Sequence, residues 1–392
     1  MNDRGDKRPD TLLVHGGRRK QWLSGMVNVP VSRTSTVLFD TVADLHAAYP
    51  PRDGSLSYGR NGTPTQWSLA EALTALEPGA AGTRLFPSGA AAVAMALLSV
   101  LKPGDELLMV DSCYQPTRHF CDTVLARMGV RTVYYDATAT AGELVALLTP
   151  ASAAIFLESP GSMTFEVQDV PGICALVRER GITTLLDNTW ATPFFFRALE
   201  HGVDLSILAC TKYVSGHSDV MLGAVTATAE RWPKLAETYA LYGQAVSPDD
   251  AFLAARGLRT MGVRLRQHQA SGLEVARWLQ GQPQVARVLH PALESCPGHE
   301  LWARDFTGAS GLFAIVLGNA GNAQAARFVD SLALFGIGYS WGGFESLAVP
   351  AGAKLSRSVA RDWGGAIVRL HIGLEDPQDL IADLERGLAA IS

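Results

Sequence analysis

The sequence predicts an α/β protein, with a large domain on a mostly parallel sheet followed by a smaller α+β domain at the carboxyl end. Three observations predict it. Between about 66 and 258, short apolar runs alternate with helix-patterned stretches, as expected of a parallel sheet covered on both faces. Beyond about 259 the alternation gives way to one long helix and more widely spaced strands. A chain of 392 residues is also too long for one small core, so two or three domains are expected.

Residues 1–60 form an arm rich in Gly, Pro, Arg and Ser, in which only 42–48 carries a helix pattern. Such a segment builds no core of its own and is expected to lie across the body of the protein or of a neighbouring subunit. The large domain is expected over 61–258. A helix over 66–76 leads to a strand at 83–86, a Ser-Gly turn and an alanine-rich helix over 90–101. Strand 106–110, helix 117–128, strand 131–135 and helix 141–148 continue the series. Strand 153–158, helix 170–180 and strands at 183–187 and 205–209 complete it. The small domain, 259–392, is expected to hold a helix over 263–279 and strands near 285–290, 311–317 and 367–370. Helices over 323–332 and 376–390 finish the chain.

Composition excludes several classes. With 47% hydrophobic and 18% charged residues the chain reads as an ordinary globular enzyme. A net charge of −5 gives no reason to expect nucleic acid or an anionic membrane as partner. The five cysteines form no CxxC, and their odd number suits reduced thiols in a cytosolic protein. The charged N-terminus lacks an apolar stretch behind it, and the apolar run at 90–101 is too short to span a bilayer, so a soluble cytoplasmic protein is expected. HExxH and other metal spacings are absent, and no GxGxxG follows a strand, so neither a metal centre nor a nicotinamide site is expected.

The chemistry is carried first by Lys212, in Thr211-Lys212-Tyr213-Val214-Ser215-Gly216 between two apolar runs. A buried ammonium is costly unless it is paired or loses its charge. A lysine placed there is productive as a neutral amine condensed with an aldehyde, which is how enzymes hold pyridoxal 5′-phosphate (PLP). Asp187 ends the apolar run of 182–186, and a carboxylate there suits the second need of PLP, a protonated ring nitrogen. Each residue has a plainer reading: Lys212 in an interface salt bridge, Asp187 as a helix N-cap.

Other residues fit around this pair. Ser88, Gly89 and Ala90 open the alanine-rich helix, where backbone N–H groups and the helix dipole favour a phosphate, and Thr211 offers a further hydroxyl. Tyr114 follows strand 106–110 in a loop at a strand's carboxyl end, placed to stack on a pyridine ring; its alternative is to close the sheet edge. Tyr58 and Arg60 in the arm are phosphate donors by type, or members of a solvated loop. Arg369 is a charge inside an apolar strand and needs an anion, either a substrate α-carboxylate or a structural partner. Ser340 and Trp341 precede two glycines in a loop suited to a pocket mouth. His217 is read as structural, since Lys212 itself can move protons.

Tyr58-Gly-Arg60, Phe86-Pro-Ser-Gly, Tyr114, Glu158-Ser-Pro, Asp187-Asn-Thr-Trp, Thr211-Lys212-Tyr, Arg256-Gly-Leu-Arg-Thr and Ser340-Trp-Gly-Gly-Phe-Glu-Ser occur in an order that resembles the trans-sulfuration (Cys/Met metabolism) PLP enzymes, over nearly the whole chain. The resemblance implies the fold-type I architecture of PLP-dependent transferases: an arm reaching the neighbour's active site, a PLP-binding large domain and a small C-terminal domain, in a homotetramer of two tight dimers. It implies Lys212 as the lysine that holds PLP, Asp187 on the ring nitrogen, Tyr114 on the ring, and Tyr58 and Arg60 on the neighbour's phosphate. Arg369, assisted by Ser340 and Trp341, would take the substrate carboxylate. The activity implied is carbon–sulfur cleavage at the β-carbon of an amino acid, L-cystathionine, in methionine biosynthesis. γ-Chemistry on the same scaffold is the alternative, and a PLP-fold regulator without turnover a distant one. Two features depart from the pattern: Ala209 stands where many relatives have Ser, and the stretch 348–360 carries no recognisable motif.

Overall fold

The computed structural model describes residues 7–50, 54–352, 355–359 and 361–391. Seven strands form the large sheet: β1 (Ala80–Phe86), β2 (Glu106–Val110), β3 (Arg131–Tyr135), β4 (Ser152–Glu158), β5 (Thr183–Asp187), β6 (Leu205–Leu208) and β7 (Gly223–Thr228). Their order is β1-β7-β6-β5-β4-β2-β3. Six run parallel, and β7 runs antiparallel between β1 and β6. All five residues of β2 are buried, as a strand with neighbours on both sides and helices on both faces requires. Strands β2, β3 and β5 fall on the expected residues. Strand β7 and the helix Trp232–Leu241 were not expected.

The parallel strands deliver their carboxyl ends to one edge of the domain. Glu158 and Asp187 end β4 and β5, while the segments carrying Ser88, Tyr114 and Lys212 follow β1, β2 and β6. This is the edge where open α/β sheets bind ligands.

The four-stranded sheet of the carboxyl end is antiparallel, with strands β8 (Val285–Leu289), β9 (Leu312–Gly318), β10 (Leu347–Pro350) and β11 (Gly365–His371) in the order β10-β11-β9-β8. Helices Asn322–Asp330 and Pro377–Ala389 cover it with Phe328, Leu380, Leu384 and Leu388. The expected helix over 263–279 is part of a 33-residue helix, Pro248–Gln280. Its first half packs Ala254, Leu258, Met261 and Leu265 into the large core, and its last turns pack Val275, Ala276 and Leu279 into the small one. One rigid element therefore carries the small sheet on the large domain.

The arm is more ordered than its composition suggests. A helix over Pro9–His15 buries Leu12 and Leu13 in the large core, and Arg259 Nη1 donates to the Leu13 and Gly16 carbonyls at 2.7 and 2.9 Å. A second short helix, Lys20–Leu23, sets Trp22 against Trp67. The first part of the arm thus lies on its own subunit. The helix expected at 42–48 forms over Val42–Ala47 with no buried residue. Residues 1–6 and 51–53 of the arm lie outside the described residues.

Candidate active site

Lys212 sits in a tight turn after β6. Its N–H donates to Ala209 O at 3.0 Å, and its carbonyl accepts from Gly216 N–H at 2.8 Å. Arg264, buried on the long helix, fastens the turn from below: its Nη2 donates to Tyr213 O and Gly257 O, both at 2.8 Å. Lys212 Nζ lies 2.6 Å from Ser340 Oγ and 5.3 Å from the centroid of the Trp341 ring. Burial, with the nearby Arg369 charge, lowers the lysine pKa to about 8, and Asp187 opposes the shift. The amine is therefore largely poised to act as a free base in mild alkali.

Asp187 lies within range of the Lys212 charge. Its Oδ1 accepts from Thr189 N–H at 3.0 Å and from Thr189 Oγ1 at 2.5 Å. Thr189 Oγ1 in turn accepts from Ala209 N–H at 2.9 Å, tying the carboxylate to the lysine turn. Desolvation raises the Asp187 pKa, while Thr189 and Lys212 act against the rise. Glu158 is its register partner on β4. Desolvation and the Asp187 charge hold the Glu158 pKa well above the usual range. Glu158 Oε2 accepts Tyr114 N–H at 2.7 Å, so it sets the backbone from which the half-exposed Tyr114 phenol leaves. The functional parts of Thr189 and Glu158 were not read from the sequence. An Asp-x-Thr spacing that suits a local hydroxyl–carboxylate turn was the available signal for the first. The signal for the second was a carboxylate ending a strand next to β5.

The small domain closes the cleft with Ser340-Trp341-Gly342-Gly343. Ser340 is held at φ +95° and Gly342 at +86°, both in the left-handed half of backbone space. A Cβ on Gly342 would stand 3.0 Å from the Lys212 carbonyl carbon and the Tyr213 nitrogen, so only glycine lets the loop lie directly on the lysine turn. Arg369, on β11, donates from Nη2 to Ser340 O at 3.1 Å. No carboxylate pairs with Arg369 among the described residues, and burial lowers its pKa to about 10. Its planar fork retains further N–H groups for an anion.

A bound PLP makes three demands, and the residues present fit them. Its aldehyde needs an amine drawn back from solvent, which the half-buried Lys212 supplies, and its ring nitrogen needs a carboxylate at the same edge, which Asp187 is. Its phosphate needs a close-packed helix N-terminus. Ser88 caps the helix Gly89–Val100, its Oγ accepting Ala91 N–H at 3.1 Å and keeping its own proton. The first N–H groups of that helix, from Gly89 and Ala90, have no intrahelical acceptor. A Cβ on Gly89 would come 2.6 Å from the Ala209 Cβ, so the cradle abuts the lysine turn. Thr211 is engaged otherwise: its Oγ1 accepts Leu222 N–H at 3.0 Å and donates to Leu222 O at 3.2 Å. Donation from Thr211 to a phosphate requires this hydroxyl to turn.

Tyr58 and Arg60 stand apart from Lys212. They line a hollow with Phe39, Leu45, His46 and Tyr49, and Arg60 Nη1 donates to Ala240 O at 3.3 Å. His217, exposed, has Nδ1 2.7 Å from Ser215 O. The motif-free stretch 348–360, expected as a loop, begins within β10, and its described residues beyond that strand reach from the small domain to the large one as a strap. Ser358 and Val359 N–H groups donate to the Asp111 carboxylate, which also pairs with Arg118, and Arg357 Nη2 donates to Ser162 O at 2.7 Å. Asp111 and Arg118 flank Tyr114 in sequence, so the strap braces that loop. Residues 353, 354 and 360 of the stretch lie outside the described residues.

Comparison with known proteins identifies the family. The family described as "Cys/Met metabolism PLP-dependent enzyme" matches residues 10–389. The chain is 48% identical to "Cystathionine beta-lyase MetC" of Escherichia coli, covering 98% of this chain and 99% of that protein. It is 46% identical to "Cystathionine beta-lyase" of Salmonella typhimurium over the same shares. The crystal structure of metB from Corynebacterium glutamicum superposes with a TM-score of 0.91 at 30% identity, covering 100% of both chains.

Proposed function

The chain belongs to the Cys/Met metabolism PLP-dependent enzymes, and on that premise we propose that it is a carbon–sulfur β-lyase converting L-cystathionine and water to L-homocysteine, pyruvate and ammonia. The observation that carries this reading is the half-buried Lys212 amine, 2.6 Å from Ser340 Oγ, with Asp187 and Arg369 near enough for their charges to act on it. The two lyases at 48% and 46% identity support the choice of substrate. When bound, PLP supplies an electron sink that makes the substrate Cα–H acidic.

The residues divide the work. Lys212 would hold the cofactor aldehyde, Asp187 its ring nitrogen, Tyr114 its ring face, and Ser88, Gly89 and Ala90 its phosphate. Arg369 grips the substrate α-carboxylate with its fork and so fixes the orientation of Cα, with Ser340 and Trp341 closing over it. Freed once the substrate amine has taken its place, the neutral Lys212 amine takes the α-proton, steadied by Ser340 Oγ. The β-carbon–sulfur bond breaks with its electron pair on sulfur, which is protonated and leaves as homocysteine. The three-carbon remainder takes up water and departs as pyruvate and ammonia.

We assign an arm to 1–60, a cofactor-binding domain to 61–258 and a small domain to 259–392. Leu38, Val42, Leu45 and Tyr49 are exposed, an uncovered apolar face on the arm. A second copy of the chain is the partner we place there, which would put Tyr58 and Arg60 at the neighbour's phosphate within a cytoplasmic homotetramer. Among the described residues no helix is long and apolar enough to cross a membrane. Product analysis tests the reaction: pyruvate and homocysteine from L-cystathionine are expected. 2-Oxobutyrate and cysteine would instead assign γ-elimination and overturn the β-lyase reading.

A further inference from the structure

Beneath the Ser340–Gly343 loop lies a histidine that the reaction above does not use. His371 is the last residue of β11, two positions beyond Arg369 and therefore on the same face of the strand. It is buried to 1% exposure, and its Nε2 stands 3.1 Å from Gly342 N and 3.2 Å from Gly343 O. One tautomer accepts the Gly342 N–H and the other donates to the Gly343 carbonyl, so in either form Nε2 fastens the glycine pair. Nδ1 has no partner among the described residues. The ring packs against His268 at 5.2 Å and Tyr213 at 6.1 Å between centroids. His268 is itself fixed, its Nδ1 2.8 Å from Ile372 O.

One face of β11 thus grips both ends of the loop: Arg369 holds Ser340 O and His371 holds the Gly342–Gly343 pair. With the loop held at both ends Ser340 is kept at φ +95°, a conformation a serine leaves unless its surroundings impose it. In that conformation its Oγ meets Lys212 Nζ at 2.6 Å. When a substrate carboxylate competes for Arg369, the grip at Ser340 O weakens and the one at the glycines remains. We propose that His371 is a positioning residue for catalysis: through the Gly342–Gly343 pair it holds Ser340 in the strained conformation that presents Oγ to Lys212. The assignment rests on the reading of Lys212 as the reactive lysine, and it adds a residue that touches neither substrate nor cofactor.

Reach separates this role from mere filling of the core. Gln and Asn carry the same amide, but Gln extends it to the place of Nε2 and Asn stops at the place of Nδ1. His371→Gln should keep kcat within about threefold of the parent, and His371→Asn should lose about tenfold or more, with cofactor content and Tm alike in the two variants. A double-mutant cycle tests the route through Ser340. If His371 acts by placing that hydroxyl, Ser340→Ala and His371→Asn are not additive, and the double variant is no worse than about twofold below Ser340→Ala. The pH midpoint of the bound-cofactor absorbance should likewise move by the same amount in Ser340→Ala, His371→Asn and the double variant. This readout needs bound cofactor but no turnover of cystathionine, so it judges His371 even where pyruvate release, which judges the proposed reaction, fails. Equal kcat in the Gln and Asn variants, or losses and midpoint shifts that sum in the double variant, would overturn the proposal.

Discussion

Glu158 and Asp187 stand side by side in register, each the last residue of its strand, at the carboxyl edge of the sheet. Two carboxyl groups so placed resist joint ionisation. Asp187 has the Thr189 donors and the Lys212 charge to favour its ionised form, whereas Glu158 has the Tyr114 N–H and the Arg357 charge. Burial raises the pKa of both, and the local donors and the Lys212 charge favour ionisation at Asp187 over Glu158.

Replacing Glu158 by Gln tests that division. The Glu158 pKa is raised above 4.5 in the folded protein, so the folded state holds a proton that the unfolded chain has released. Stability attached to this proton is full below about pH 4.5 and declines as pH rises toward the folded pKa. Glu158→Gln is neutral throughout and still accepts the Tyr114 N–H. Its Tm relative to the parent should therefore rise between pH 4.5 and 8. A Tm difference that falls over that range would mean that Glu158 is ionised.

The lysine gives the opposite kind of signal. Its pKa is lowered to about 8, so the free base that can take a proton grows as pH rises through that value, and kcat should rise with it. Asp187 opposes the lowering, so Asp187→Asn should move the acid limb of the kcat profile to lower pH. At the same time kcat should fall steeply with the cofactor still bound. Near-normal kcat in Asp187→Asn would place the ring-nitrogen partner elsewhere.

Arg369→Lys separates recognition from structure. It keeps the charge and loses the fork, at a cost of about 1.5–3 kcal/mol per charged hydrogen bond. We expect kcat/KM for cystathionine to drop by about tenfold or more with Tm nearly unchanged. A large fall in Tm with intact specific activity would make Arg369 a structural cation.

The arm makes a prediction that one chain alone does not satisfy. If Tyr58 and Arg60 serve the neighbour, mixing inactive Lys212→Ala with inactive Arg60→Ala should restore activity after subunits exchange. A hybrid then carries one site with both lesions and one with neither. Confirmed exchange without recovered activity would return the arm to its own subunit.

How much of this was legible in the sequence depended on contrast. Lys212, Asp187 and Arg369 stood out because each is a charge set against apolar neighbours. Strands such as Glu106–Val110 stood out as apolar runs bounded by turn residues. The first half of the 33-residue helix did not, since Gly257, Gly262 and four charges between Asp249 and Arg259 break its apparent pattern. Gly257 instead lets the helix lie against the lysine turn, where a Cβ would meet Ser215 O, and Arg264 bonds that turn at Tyr213 O. Strand β7 (Gly-Ala-Val-Thr-Ala-Thr) has small side chains and shows only a weak strand pattern. The meeting of Lys212 with Ser340 was hidden for another reason. The two are 128 residues apart and are joined only by the docking of one domain on the other.

Reduction of the purified, cofactor-loaded protein with borohydride, followed by peptide mass mapping, tests the central claim most directly. The account predicts a yellow protein and a pyridoxyl mass fixed on the peptide that contains Lys212 and on no other. A pyridoxyl group on any other lysine, with Lys212 unmodified, would contradict it.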